Sequence, residues 1–172
     1  NPSFKINIDE SFINTYFSNQ NQTTKTFIVS IIDGFIERDT EIFSLFEMCK
    51  KEKLPAILIC RGISEDAKRN IKQIILKNRV YVYPYTIKFD NNDPFLIKDI
   101  AKSCGAKILS SEFHDNIYKD LEEKTEVCKL TITKNKISFY EKSDTLIKEI
   151  NKQLKIENIE IKSQFKDLNI RL

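Results

Sequence analysis

Four cysteines, one histidine and a scatter of carboxylates are the residues of this 172-residue chain equipped for chemistry. A Cys–His nucleophile pair needs a thiolate beside an imidazole, and the only imidazole is His114, in a polar loop with no obvious partner. Cys49, Cys60, Cys104 and Cys128 are widely spaced, and none forms a C-x-x-C pair, so the pattern does not build a zinc site. Each lies in an apolar or helical run and reads as a buried thiol in a reducing compartment. The adjacent carboxylates of Glu122-Glu123 and Ser64-Glu65-Asp66 read as solvated helix ends. Asp33, after a buried apolar run and before Gly34, has the placement of a catalytic carboxylate at a strand's C-terminal end. Its simpler role is a turn residue capping the next segment. Neither GxGxxG nor GxxxxGK(S/T) follows that strand or occurs elsewhere, and the chain has only three glycines. These residues make no catalytic constellation, and the sequence reads as a binding module.

The elements that must position these residues alternate. Phe27 to Ile32 is a continuous apolar run of strand length, closed by Asp33-Gly34. A helix follows from a cap at Asp39 or Thr40, and Pro55 ends it ahead of a buried strand, Ala56 to Cys60. Ser64 opens a second helix with an acidic first turn, and Val80 to Ile87 is β-rich. A third helix starts at Asp93-Pro94 and ends at Gly105, a good C-terminal cap. A short strand (AKILS), a short helix near Asp115 to Glu123 and a hairpin turning at Lys134-Asn135 come next. Helical stretches at about Asp144 to Leu154 and Glu160 to Leu172 close the chain. Strand–helix alternation of this kind predicts a layered α/β domain, its central strands mostly parallel and covered by helices, with an antiparallel hairpin added. Residues 1–142 form the expected core, and 143–172 a C-terminal helical segment of the same domain.

The bulk numbers bound the function. The chain is 41% hydrophobic and 31% charged, a globular composition able to bury a real core. Its net charge of +3 comes from 28 basic and 25 acidic residues interleaved along the sequence, not from the clustered excess of a nucleic-acid binder. The longest apolar runs, FIVSII and PAILIC, have strand length, so neither a signal peptide nor a membrane span is expected. The chain opens on Asn1 without an initiator Met and reads as a piece of a longer, soluble protein.

One surplus stands out. On a helical wheel of Thr40 to Lys51, Ile42, Leu45 and Cys49 share a narrow face, with Phe46 beside them, Phe43 further round and Met48 at the other edge. The apolar arc spans roughly 220°, where a helix lying on a core needs little more than about 100°. Phe12, Tyr16 and Phe17 likewise sit in an otherwise hydrophilic N-terminal segment. Phe43 and Phe46 fit core space under a loop, and Phe12, Tyr16 and Phe17 fit a staple of the N-terminal segment to the sheet; both sets also fit a surface built to bind.

The order and wording of these segments resemble the apical domain of a group I chaperonin, the GroEL family. DESFINTYF (Asp9 to Phe17) resembles that family's DRGYLSPYF, matching at Asp9, Tyr16 and Phe17. FIVSIIDGFI (Phe27 to Ile36) is similar to FILLADKKI, and KLPAILIC (Lys53 to Cys60) to GKPLLIIA. IKDIAKSCGAKILS (Ile97 to Ser110) is similar to LQDIATLTGGTVIS, with Asp99-Ile100-Ala101 identical, and FKDLNIRL in the tail resembles EKLQERVAKL. The likeness is collinear over nearly the whole chain.

The resemblance implies a fragment that binds hydrophobic segments of non-native polypeptides, and the mobile loop of a co-chaperonin cap, within an ATP-dependent folding ring. An extended segment and two helices line the family's groove. Carried over, the binding residues are Phe12, Asn14, Tyr16 and Phe17 of the segment, Phe43 and Phe46 of the first helix, and Lys68, Lys72 and Gln73 of the second. The last three depart from the aliphatic residues usual there, which implies clients with acidic groups beside apolar anchors. Ala67, Ile71, Ile74 and Ile75 of that helix share a face suited to the core. Phe89-Asp90-Asn91-Asn92 replaces a Gly-rich loop of the family and implies a stiffer one. The fragment is then no enzyme and holds no cofactor; ATP and magnesium belong to the parent's equatorial domain. Nucleic acid and membrane are not among the implied partners. Cytoplasm and an organelle interior, mitochondrial matrix or plastid stroma, both fit. The alternatives are a diverged subunit kept for ring assembly, or a small α/β enzyme using Asp33.

Overall fold

The computed structural model describes residues 2–19, 21–89, 93–110 and 117–140, with 117–120 described by their backbone alone. The chain divides into one unit, Asn1–Tyr140, and a second, Glu141–Leu172. The second unit lies outside the described residues, and with it the two expected C-terminal helices; so do His114 and the loop at 90–92.

In chain order the first unit runs β1 (Ser3–Phe4), β2 (Asn7–Ile8), a 3-10 turn (Glu10–Phe12), α1 (Ile13–Tyr16), β3 (Thr23–Asp33) and β4 (Phe35–Ile36). A second 3-10 turn (Asp39–Ile42) leads into α2 (Phe43–Glu52), then β5 (Ala56–Cys60), β6 (Gly62–Ile63) and α3 (Glu65–Asn78). β7 (Val82–Thr86), α4 (Leu96–Cys104), β8 (Ile108–Ser110), α5 (Ile117–Lys124), β9 (Glu126–Thr133) and β10 (Lys136–Phe139) complete it.

β3 organises the sheet. Successive residues of a strand point to opposite faces, yet every residue from Phe27 to Ile32 is buried, so both faces of β3 are covered. Along one edge Ile28–Ile31 pairs in parallel with Ala56–Ile59 of β5, and β5 pairs in parallel with β7. Along the other edge its first half, Thr23 to Val29, is antiparallel to β9, while Ile31–Asp33 runs parallel to β8. The strand order β1-β10-β9-β3-β5-β7-β2 therefore joins a parallel centre to an antiparallel wing. This is the expected layered α/β arrangement, and the expected hairpin turns at Lys134-Asn135.

The edge of β7 beyond its two-residue pairing with β2 is covered by the N-terminal segment. Asp9 N–H donates to Pro84 O (2.8 Å), and the Tyr16 hydroxyl donates to Val82 O (2.6 Å). A proline is tolerated in this strand because its missing N–H is not called on there. The two-residue strands β4 and β6 pair only with each other. The Phe35 ring lies close over Gly62, where a Cβ would come within 2.6 Å of it and make the exposed ring shift.

Two helix starts differ from expectation. α2 begins at Phe43, after a 3-10 turn that absorbs Asp39 and Thr40, and no side chain caps it. The Asp39 carboxylate instead accepts from Asn70 Nδ2 of α3 (3.0 Å). α4 begins at Leu96, because Asp93 and Pro94 form a turn in which Asp93 Oδ1 accepts from Phe95 N–H. All three long helices end on a left-handed residue whose N–H returns to the last turn. Gly105 does so at φ 81°, as its type predicts, but Lys53 (φ 55°) and Arg79 (φ 52°) do so against their side chains.

Left-handed backbone strains a residue with a Cβ, and glycine removes that strain at some cost in unfolded-state entropy. Lys53→Gly and Arg79→Gly should therefore each raise stability by about 0.5–1 kcal/mol, and additively, since the sites are independent. Urea unfolding should show higher midpoints at unchanged slope. Lower midpoints at both sites would contradict the assigned cap geometry.

Candidate polypeptide-binding face

The apolar arc of α2 divides in two. Leu45, Phe46 and Cys49, with Ile42 of the preceding turn, are buried in the core, whereas Phe43 is 51% exposed. The wide stripe thus serves the interior through Phe46 and the surface through Phe43. Beside it α3 starts at Ser64, whose hydroxyl accepts from Ala67 N–H (3.1 Å) and donates to Glu37 O (2.6 Å). Ala67, Ile71 and Ile75 are its buried residues. Ile74, expected on that same face, is only half-buried and turns toward α2. Between the two helices lies a shallow hollow of about 140 Å³, lined by Phe43, Phe46, Glu47 and Lys50 of α2 and by Ile74 and Asn78 of α3. Its volume suits one apolar side chain, and Glu47 and Lys50 put one charge of each sign at its rim.

The N-terminal segment is placed differently from what the residue-by-residue carry-over implies. Phe12 and Phe17 are buried, Tyr16 is half-buried and only Asn14 is open to solvent. The reason is a ladder of rings. Tyr16 stacks on Tyr83 of β7 (centroids 3.9 Å apart) and on Phe12 (6.4 Å), and Phe17 and Phe27 meet the edges of Tyr83. Aromatic pairs at these spacings add to the energy of burial itself. Burial, and then the neighbouring Tyr83, push the Tyr16 phenol well above its ordinary range; burial likewise pushes Tyr83 up to about 12.

The basic positions of α3 are also engaged within the domain. Lys68 Nζ lies 3.2 Å from Asp9 Oδ2 and 3.2 Å from Glu65 Oε1, with side-chain exposures of 17% for the lysine and 9% for Asp9. Burial alone would lower its pKa; the hydrogen bonds it donates to Asp9 and Glu65 outweigh that and raise it. Lys72 Nζ sits 5.3 Å from the centroid of the Phe12 ring, within cation–π range. Gln73 is exposed. Of the nine residues assigned to the face, the structure leaves Phe43, Asn14 and Gln73 open. It buries Phe12, Phe17 and Phe46, and holds Tyr16, Lys68 and Lys72 in internal contacts. Ile74 and Asn78 were missed, although Ile74 lies only one position off the Ala67–Ile71–Ile75 line. Leu76, 78% exposed on α3, was missed too.

The other chemical candidates are accounted for. Asp33 Oδ1 accepts from Arg61 Nε at 2.6 Å, Arg61 Nη1 donates to Ile87 O, and the guanidinium lies 4.4 Å from the Phe89 ring centroid. The strand-end carboxylate is therefore tied into an ion pair. All four cysteines are buried, and burial pushes the Cys49 and Cys60 thiols up to about 12, the opposite of an activated nucleophile. Among the described residues no cluster of three or more His, Cys, Asp or Glu gathers to hold a metal. No helix among them is long and apolar enough to cross a membrane.

No family model matches the chain, and no curated protein sequence matches it. Solved structures do. In crystal form II the chaperonin gp146 of bacteriophage EL 2, in the presence of ATP-BeFx, is similar over 98% of this chain with a TM-score of 0.61 and 14% identity. Crystal form I of the same chaperonin gives a TM-score of 0.57 and 15% identity, again over 98% of the chain. The chain spans about a third of that protein's length, 34% in one form and 35% in the other. Its fold is chaperonin-like.

The raised phenol and thiols fix the sign of an alkaline transition. Tyr83 is held protonated to about 12 against an ordinary 10.0, and Cys49 and Cys60 to about 12 against 9.0. Their contribution to stability is complete below about pH 9 and is lost from there to about pH 12, as the unfolded chain ionises and the folded chain does not. The melting temperature should fall over that interval, and less steeply in Tyr83→Phe, which cannot ionise. A flat profile would contradict the burial of these groups.

Proposed function

We propose that this chain is the polypeptide-binding, apical domain of a chaperonin subunit of the GroEL type. The observation that carries the reading is the α2–α3 hollow with Phe43 half-exposed at its mouth. The fold is chaperonin-like, and the resemblance puts client contacts on this same helix pair. Apolar burial is non-directional, at about 25 cal/mol per Å², so such a hollow accepts many sequences in helical or extended form. A patch this small binds weakly after the costs of association. A ring of subunits, the assembly this reading requires, compensates by offering several copies to one non-native client.

In this reading the mobile loop of a co-chaperonin cap competes for the same face. The domain performs no catalysis and holds no cofactor, while another domain of the parent subunit binds ATP and magnesium. Asp33, hydrogen-bonded to Arg61, lends no support to an enzyme built on that carboxylate. An acidic preference drawn from Lys68 loses part of its basis, because Asp9 and Glu65 already flank that ammonium.

The two phenylalanines of α2 give the test. Phe43→Ser should weaken micromolar binding of a labelled apolar peptide by about tenfold while leaving stability within about 1 kcal/mol. Phe46→Ser should cost about 3–5 kcal/mol of stability, because Phe46 is in the core. Fluorescence anisotropy and urea unfolding measure the two effects. Unchanged binding by Phe43→Ser would remove the hollow as a client site.

A further inference from the structure

The α3 stripe that carries Lys68 and Lys72 already holds a polypeptide, the chain's own N-terminal segment. Its grip has two points, one helical turn apart. At the first, Asp9 reaches Lys68 with one carboxylate oxygen (3.2 Å). Its other oxygen accepts from the N–H of Ser11 (3.0 Å) and from the Ser11 hydroxyl. At the second point the Phe12 ring lies beneath the Lys72 ammonium at 5.3 Å. Lysines four apart on a helix lie on one face. Asp9 and Phe12, three apart in a tight 3-10 turn, match that spacing. The stripe thus holds an acidic residue and, three positions later, an aromatic.

We propose that the segment around Asp9 and Phe12 is an internal pseudo-ligand, and that the Lys68–Lys72 stripe takes in trans a polypeptide bearing the same acid-x-x-aromatic pattern. This deepens the reading of the helix pair as a polypeptide-binding face, on which it rests. It adds that the half of the face beside the α2–α3 hollow is closed by a strap of the protein's own chain. A competing segment would supply a carboxylate to Lys68 and a ring to Lys72 as the strap lifts. Release also uncovers Phe12 and Phe17, both buried while the strap is seated. Phe43 and the hollow stay open whether the strap is seated or lifted.

The test uses the 172-residue chain and a labelled synthetic peptide copying Asn7 to Asn19. The peptide should bind the wild-type chain weakly. Asp9→Asn in the protein loosens the strap and should strengthen peptide binding on the order of tenfold, the direction opposite to that of a merely structural residue. Lys68→Met should abolish that gain, and Lys68→Arg should keep most of it. Peptides carrying the Asp9→Asn or Phe12→Ala change should bind about tenfold more weakly than the parent peptide. Ser11→Ala, which removes only the hydroxyl contact to Asp9, gives a milder loosening should Asp9→Asn fail to fold by circular dichroism. Equal binding by all peptides, or no gain from either loosened variant, would overturn the proposal. Phe43→Ser separates the two readings. If it spares binding of a generic apolar peptide while the Asp9→Asn gain persists, the hollow fails as the client site and the pseudo-ligand stands.

Discussion

A single strand has to satisfy three neighbouring strands along its two edges, and the rest of the described unit follows from how it does so. β3 is buried on both faces from Phe27 to Ile32 and pairs with β5, β8 and β9. Unpaired backbone in such a position costs about as much as a lost hydrogen bond. The parallel neighbours need crossovers, and α2, the connection between β3 and β5, is one of them. The position of α2 is thus set by the strand pair it joins; α3 is placed in the same way by the crossover from β5 to β7. Two successive crossovers yield two neighbouring helices, and the hollow lies between them.

What the helix pair offers depends on small departures from an ideal amphipathic stripe. Phe43 and Ile74 sit just off the buried lines of their helices, and both line the hollow. Asn70 and Asp39 tie the helices together by a side-chain hydrogen bond. On its other flank α3 presents Lys68 and Lys72, and these hold the N-terminal segment. That segment in turn hydrogen-bonds the exposed edge of β7, a position that would otherwise recruit foreign strands. The same segment thus covers the β7 edge and engages Lys68 and Lys72.

Much of the fold was legible because its strands are continuous apolar runs bounded by clear punctuation: Asp33-Gly34, Pro55, Gly105 and Lys134-Asn135. The two-residue strands β1, β2, β4 and β6 were not legible, because two residues carry no periodicity. The start of α2 was misplaced because Asp39 has the chemistry of a cap but bonds across to Asn70, a partner 31 positions away. The site was legible in part. The surplus arc of α2 pointed to Phe43 and Phe46 alike; Phe43 is exposed, whereas Phe46 beside it is core. From pattern alone Phe12 and Phe17 fitted either a staple to the sheet or a binding surface, and only the resemblance favoured the surface; their burial depends on Tyr83, a ring some seventy positions away that no local pattern connects to them. The engagement of Lys68 by Asp9 is equally non-local.

The α2–α3 hollow, and not the strand ends around Asp33, is the proposed place where this domain meets other molecules. Amide chemical-shift mapping with an apolar peptide that lacks acidic residues tests it most directly. The account predicts perturbed amides along Phe43 to Lys50 and around Ile74 to Asn78, with Asp33, Arg61 and their neighbours unmoved. Shifts centred on Asp33 and Arg61 that leave the helix pair unchanged would contradict it.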